Sequence, residues 1–182
     1  MDYGVNMIET EPSLLEILLY GNPALTLKAE EICNIDEGLC RLAENMVYTM
    51  HAAPGIGLAA PQVNRSLRLI TVDLSVGERT SDIVILANPE ILSSEGEDIL
   101  EEGCLSVPDV HDKVARPAHV AVKGIDIRGK ERIIEASGLL ARVLCHEVDH
   151  LDGILFIDYL SPLKKDIIRK KFRKKKDKDT SG

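Results

Sequence analysis

Aromatic side chains are scarce in this chain: 182 residues include no Trp, two Phe and four Tyr. A chain of this length supports one domain with a sizeable core, and that core must be aliphatic. No apolar stretch approaches the roughly 18 residues that would cross a bilayer, so no membrane partner is expected. Residues 1–13 contain neither Lys nor Arg, a composition unlike a secretory or transit peptide; the expectation is a cytoplasmic protein, with Met7 as an alternative start. Cysteine is sparse (Cys33, Cys40, Cys104 and Cys145), and nothing else points to an oxidising compartment, so reduced thiols are expected. Basic residues are few before Lys164: 12 against 27 acidic ones, a balance of −15. An acidic body of this kind argues against broad nucleic-acid binding, and no DNA partner is expected. From Lys164 onward the balance is +7, and the tail reads as a separate electrostatic object.

One motif dominates what is present. His146-Glu147-Val148-Asp149-His150 follows the apolar run Leu139-Leu140-Ala141-Arg142-Val143-Leu144-Cys145, and the two together read as a helix. Positions i and i+4 share a helix face, so His146 and His150 can offer two imidazoles to one metal ion. Glu147, on the adjoining flank, can act as a general base. An amphipathic helix with a polar face does not explain two titratable imidazoles and a Glu in so apolar a segment, because buried polar groups need partners.

Around that helix the spacing predicts one α+β domain: short, mainly antiparallel strands packed around the central metal-binding helix, with a C-terminal helix. Residues 1–163 form the single catalytic domain in this reading, and 164–182 a basic helix and tail. Residues 36–51 read as a helix, with Asp36 as N-cap and Leu39, Leu42, Ala43, Met46, Val47 and Met50 recurring at helical steps. Residues 67–72, 83–86, 120–125 and 132–136 read as strands, the last two joined by the turn Arg128-Gly129-Lys130. Residues 14–19 suit a short strand or a turn of helix, Asn88-Pro89 a turn, and 155–159 a short strand or extended link. Residues 163–176 read as a basic helix with Ile167, Ile168 and Phe172 as its apolar side.

Two histidines do not hold a catalytic metal; three protein ligands and an open position are usual. Candidates for the third are His51, His111, His119, the acids and the cysteines. Cys104 stands out because Gly103-Cys104-Leu105-Ser106 is a loop that can turn a thiolate inward, although a buried structural thiol is the common state of Cys. Cys145 points roughly 100° from His146 on a helix and reads as core. Gly55-Ile56-Gly57-Leu58-Ala59-Ala60-Pro61-Gln62 lets backbone approach a ligand closely. It lacks the third Gly and the preceding strand of a dinucleotide loop.

Taken in order, Gly55 to Gln62, Glu102-Gly103-Cys104-Leu105-Ser106 and His146 to His150 resemble the three signature motifs of the peptide deformylases. The similarity runs from about Leu18 to about Phe172. It implies removal of the formyl group from N-formylmethionyl ends of new polypeptides. It further implies Cys104, His146 and His150 as metal ligands, Glu147 as acid/base, and Gln62 with the backbone N–H of Leu105 as oxyanion donors. Backbone around Gly57 resembles the peptide-binding edge, and Ile56, Leu100, Leu105, Leu139 and Val143 are candidates for the methionine pocket. The implied ion is Fe²⁺, one per chain, with Zn²⁺, Ni²⁺ or Co²⁺ able to substitute. The chain departs from the family at Cys145, where Gln is frequent, and at His111, where Arg is frequent.

The resemblance also implies that the basic C-terminal helix docks on the ribosome, its Lys and Arg side chains meeting phosphates by counterion release. A solvated, frayed terminus is the alternative. Asp149 lies off the ligand face and is expected to pair with Arg116. A zinc endopeptidase and a non-catalytic metal module are the rival readings; the Cys104 loop and the stretch from Gly55 to Gln62 count against the first.

Overall fold

The computed structural model describes residues 11–179; the candidate start at Met7 lies outside them. Helix α1 spans Glu37–Ala52. Asp36 caps it by accepting from Leu39 N at 2.8 Å, satisfying one of the unpaired donors of the first turn. Strands β1 (Gly57–Ala59), β2 (Leu69–Val72), β3 (Val84–Glu95), β4 (Asp98–Cys104), β5 (Val107–Arg116), β6 (His119–Ile125) and β7 (Glu131–Ser137) follow. Helix α2 spans Gly138–Leu151, and helix α3 spans Pro162–Asp179. The class is α+β, as the sequence led one to expect.

Every strand pairing is antiparallel. Five strands form a sheet in the order β1-β2-β3-β6-β7, and β4 and β5 form a separate ribbon. Side chains alternate across a strand, which divides the core in two. Leu58, Leu69 and Ala87 pack with Leu39, Ala43, Met46 and Met50 of α1. Their neighbours Ala59, Ile70 and Leu86 turn to the other face and pack with Ala141, Val143 and Leu144 of α2. The helix carrying the His-Glu motif is thus pressed against the sheet. A third cluster joins Val107 and Val114 of the ribbon to Phe156, Ile157, Ile168 and Phe172.

Several local expectations are corrected. Asn88-Pro89 is not a turn; both lie inside β3, at a register shift between Ala87 and Glu90. Asn88 adopts φ 49°, and its amide pairs with Ile32 N and O at 2.9 and 2.8 Å. A bulge accommodates a residue in that conformation next to a proline that has no N–H to donate. Residues 14–19 form no regular element, because their backbone bonds go to separate segments: Leu18 N donates to Gln62 O and Tyr20 N to Ser106 O, both at 2.7 Å. Phe156–Tyr159 is a 3₁₀ turn and not a strand; the Asp158 side chain accepts from Leu155 N at 3.0 Å. On α3, Ile168 and Phe172 are buried but Ile167 is 60% exposed, since one helical step rotates it roughly 100° from Ile168.

Candidate metal centre

Strand β7 runs directly into α2. Gly138 makes this possible at φ 58°, a region open to glycine at no steric cost. Along α2, His146 and His150 fall on one face, their ring centroids 4.9 Å apart. The Phe156 ring lies against His146, centroid to centroid 6.2 Å. Cys104 arrives from the ribbon, where β4 meets β5 across the short turn of Leu105 and Ser106. Its Sγ lies 3.3 Å from His150 Nε2, which is 3.2 Å from His146 Nε2. The ligating atoms of the three residues all lie within 4.8 Å of one another.

Glu102 organises this cluster from behind, a role the sequence reading did not assign. Its Oε1 accepts from Arg116 Nε at 2.9 Å and Arg142 Nη1 at 2.6 Å. Its Oε2 accepts from Arg116 Nη2 and His146 Nδ1, both at 3.1 Å. Burial opposes charge on Glu102, but the hydrogen bonds from His146 and Arg116 prevail and hold its pKa at about 2. An ionised carboxylate only accepts, so His146 Nδ1 carries the proton and Nε2 faces Cys104. Period-2 alternation would have placed positions 102 and 104 on one side of a strand, a signal hidden by the acidic run around Glu102. Asp149 pairs with Arg116 Nη1 at 2.5 Å and accepts from Tyr159 Oη at 2.8 Å, the pairing expected of it. The Arg116 guanidinium also lies 4.7 Å from the Tyr159 ring centroid.

The donor set fits one metal ion. Burial opposes protonation of His146, yet its bonds to Cys104 and Glu102 push its pKa up to about 10. Burial and the charge on His146 hold His150 well below the usual imidazole range. A thiolate and two imidazole nitrogens are ligands that take a divalent transition ion and leave a position open.

Glu147 is buried beside these ligands, and its Oε2 has no hydrogen-bond partner among the described residues. Burial pushes its pKa up to about 7. Gly57 of β1 lies against it: a Cβ there would collide with Glu147 Oε1 and come within 2.8 Å of Val143 Cγ1. Gln62, on the 3₁₀ turn after β1, accepts from Ala59 N at 2.8 Å through Oε1. Its Nε2 lies 3.5 Å from Cys104 Sγ and 3.2 Å from Ser106 Oγ.

A cleft of about 490 Å³ opens onto this cluster, lined by Ile56, Gly57, Gln62, Leu105, Leu139, Val143 and His111 among others. Leu100, expected with the apolar lining, is not part of it; it is half exposed on β4. His51 instead pairs with Asp73 at 2.8 Å, and His119 is exposed at the start of β6. Cys145 is buried with the α2 core, as expected.

Two imidazoles, a thiol and a buried carboxylate at the foot of a cleft on this α+β frame define a hydrolase of the H-E-x-x-H kind. The family model described as Polypeptide deformylase matches residues 14–166. The peptide deformylase of Thermodesulfovibrio yellowstonii is 54% identical over 164 residues, covering 90% of this chain and 99% of that one. That of Syntrophobacter fumaroxidans is 50% identical over 163 residues, covering 90% and 96%. Among solved structures, a peptide deformylase from Legionella pneumophila superposes with a TM-score of 0.86 at 42% identity, covering 93% of this chain and 99% of that one. The chain belongs to the polypeptide deformylase family.

Proposed function

We propose that this chain hydrolyses the N-formyl group from the N-terminal formylmethionine of newly synthesised polypeptides, releasing formate and a free amine. The observation that carries this reading is the convergence of Cys104, His146 and His150 beside the buried Glu147. These three residues would hold one ion, which when bound lowers the pKa of water toward ~7 and polarises a carbonyl. The thiolate suits Fe²⁺, with Zn²⁺, Ni²⁺ or Co²⁺ as substitutes. Glu147 takes a proton from the attacking water and delivers it to the departing amine. Gln62 Nε2 and the Leu105 N–H donate to the oxygen that gains charge as water adds to the formyl carbon. Ile56, Leu139 and Val143 supply the apolar wall for the methionine side chain. The backbone of Gly57, on the edge strand β1, pairs with the peptide.

The test is formate release from formyl-Met-Ala-Ser by protein loaded anaerobically with Fe²⁺. Wild-type protein is expected to release formate, chelator to stop it, and Glu147→Ala to lose at least about 10² in rate. Cleavage of the unformylated peptide with no formate from the formylated one would transfer the assignment to an endopeptidase.

The partners of this reading are nascent chains in the cytoplasm and, through α3, the ribosome. Helix α3 exposes Arg169, Lys170, Arg173 and Lys174, cations suited to phosphate contacts. It is not electrostatically separate from the body: Lys164 pairs with Asp112 at 2.7 Å, and Lys171 Nζ donates to Asp109 O at 2.8 Å. Truncation at Lys170 would also remove the buried Phe172, so charge reversal is the cleaner test. Arg173→Glu with Lys174→Glu should weaken co-sedimentation with ribosomes at low salt and leave formate release from a free peptide unchanged. Undiminished co-sedimentation would end the ribosome assignment.

A further inference from the structure

Nothing in the reaction described above requires Ser106, yet its hydroxyl is fully buried against the side chain that donates to the developing charge. We infer that Ser106 is a positioning residue for deformylation, holding the Gln62 carboxamide so that its N–H bonds face the reacting atoms. The inference rests on the deformylase reading and adds one residue to it.

A carboxamide has two different ends, and three contacts decide which way this one points. Ala59 N–H can only donate, so it fixes Oε1 at 2.8 Å. Nε2 is then turned toward Cys104 Sγ at 3.5 Å and Ser106 Oγ at 3.2 Å. Gln62 is 1% exposed and Ser106 0%, so bulk water does not replace a lost partner. The terminal torsion of Gln is otherwise broad, and an amide tilted off these partners would aim its hydrogens past the substrate. Both N–H bonds are engaged before substrate arrives. The one facing sulfur is at the longer distance and is the one free to turn to the formyl oxygen, while Ser106 keeps the other and with it the plane of the amide.

The backbone anchors both partners independently of these side chains. Leu18 N donates to Gln62 O and Tyr20 N to Ser106 O, each at 2.7 Å. The Tyr20 ring meets Phe172 of α3 edge-on, centroids 5.4 Å apart. Ser106→Ala therefore removes the hydroxyl and leaves the main chain of the turn tied down.

The experiment is a double-mutant cycle on Fe²⁺-loaded protein with formyl-Met-Ala-Ser: wild type, Ser106→Ala, Gln62→Ala and the double variant. An interaction made in the transition state lowers kcat and leaves KM in place. Ser106→Ala is expected to lower kcat by about tenfold with KM within about twofold, less than the 10²–10³ that follows loss of a whole donor. The double variant should match Gln62→Ala alone, because Ser106 acts only through Gln62. Ser106→Cys, which keeps the shape with a poorer acceptor, should fall between wild type and Ser106→Ala. A proton–nitrogen correlation spectrum gives a readout without turnover: the Gln62 side-chain NH₂ pair, identified by its absence in Gln62→Ala, should shift and broaden in Ser106→Ala. Wild-type kcat in Ser106→Ala, or an equal loss in the Gln62→Ala background, overturns the inference while the deformylase reading stands. No formate from any protein overturns both.

Discussion

At the scale of single residues the site depends on Glu102, a side chain that does not touch the reacting atoms. Its side chain is 5% exposed, against 3% for Arg116 and 5% for Arg142. A buried pair is weak evidence of net stabilisation, because desolvation offsets attraction, but removing one partner strands the others. Glu102→Ala strands the His146 Nδ1 proton, leaves Arg142 with only the Val114 and Asp98 carbonyls and no counter-charge, and leaves Arg116 paired with Asp149 alone. Urea unfolding of the metal-free protein is expected to register a loss of about 3–5 kcal/mol. Glu102→Gln keeps the shape and should lose less, since an amide oxygen still accepts from one of them.

At the scale of elements, the proposed reaction requires β1 to lie close against α2. The absence of a side chain at Gly57 lets the strand lie on Glu147 and Val143. In Gly57→Ala the new methyl must push the carboxylate or the strand aside. Overpacking of this kind costs about 1–3 kcal/mol, and displacing a reacting group by about 1 Å can cost 10² in rate. The expected signature is a fall in kcat of about 10² alongside a modest drop in melting temperature. Activity close to wild type would mean that β1 and α2 separate easily, contrary to the packing seen.

At the scale of the whole molecule, acid stability has an identifiable source away from the site. Asp73 links the loop after β2 to the C-terminal end of α1. Its carboxylate receives Ser75 N, Ser75 Oγ, Gly77 N and His51 Nε2, at 2.7 to 2.8 Å. Burial alone would raise its pKa, but the bonds from Ser75, Gly77 and His51 prevail and lower it to about 2. The folded carboxyl therefore titrates below the unfolded one, near ~3.9. The stabilisation, about 2 kcal/mol, is fully present above about pH 4 and is lost as pH falls toward 2. Asp73→Asn should be less stable at pH 7 and show a flatter loss of stability between pH 4 and 2, read from urea midpoints.

Sequence alone determined the local part of this protein. The helix of His146 and His150 and the Asp36 cap follow from local spacing, since i,i+3 and i,i+4 geometry needs no tertiary information. The Asp149–Arg116 pair, suggested by opposite charge, joins residues 33 apart and is made only by the fold. The turn expected at Asn88-Pro89 failed because a bulge and the distant Ile32 satisfy the same residues inside a strand. Choosing Cys104 among four cysteines needed the family resemblance. From position alone it stayed one candidate of several, because its contact with His150 closes a loop of 46 residues. Only the folded chain decided that Glu102 supports His146 from 44 residues away and that Gln62 points its amide at Cys104 and Ser106. Those choices are set by which buried donors and acceptors meet once β1 and the β4–β5 ribbon close over α2. No periodicity encodes that closure, because it joins segments far apart in the chain.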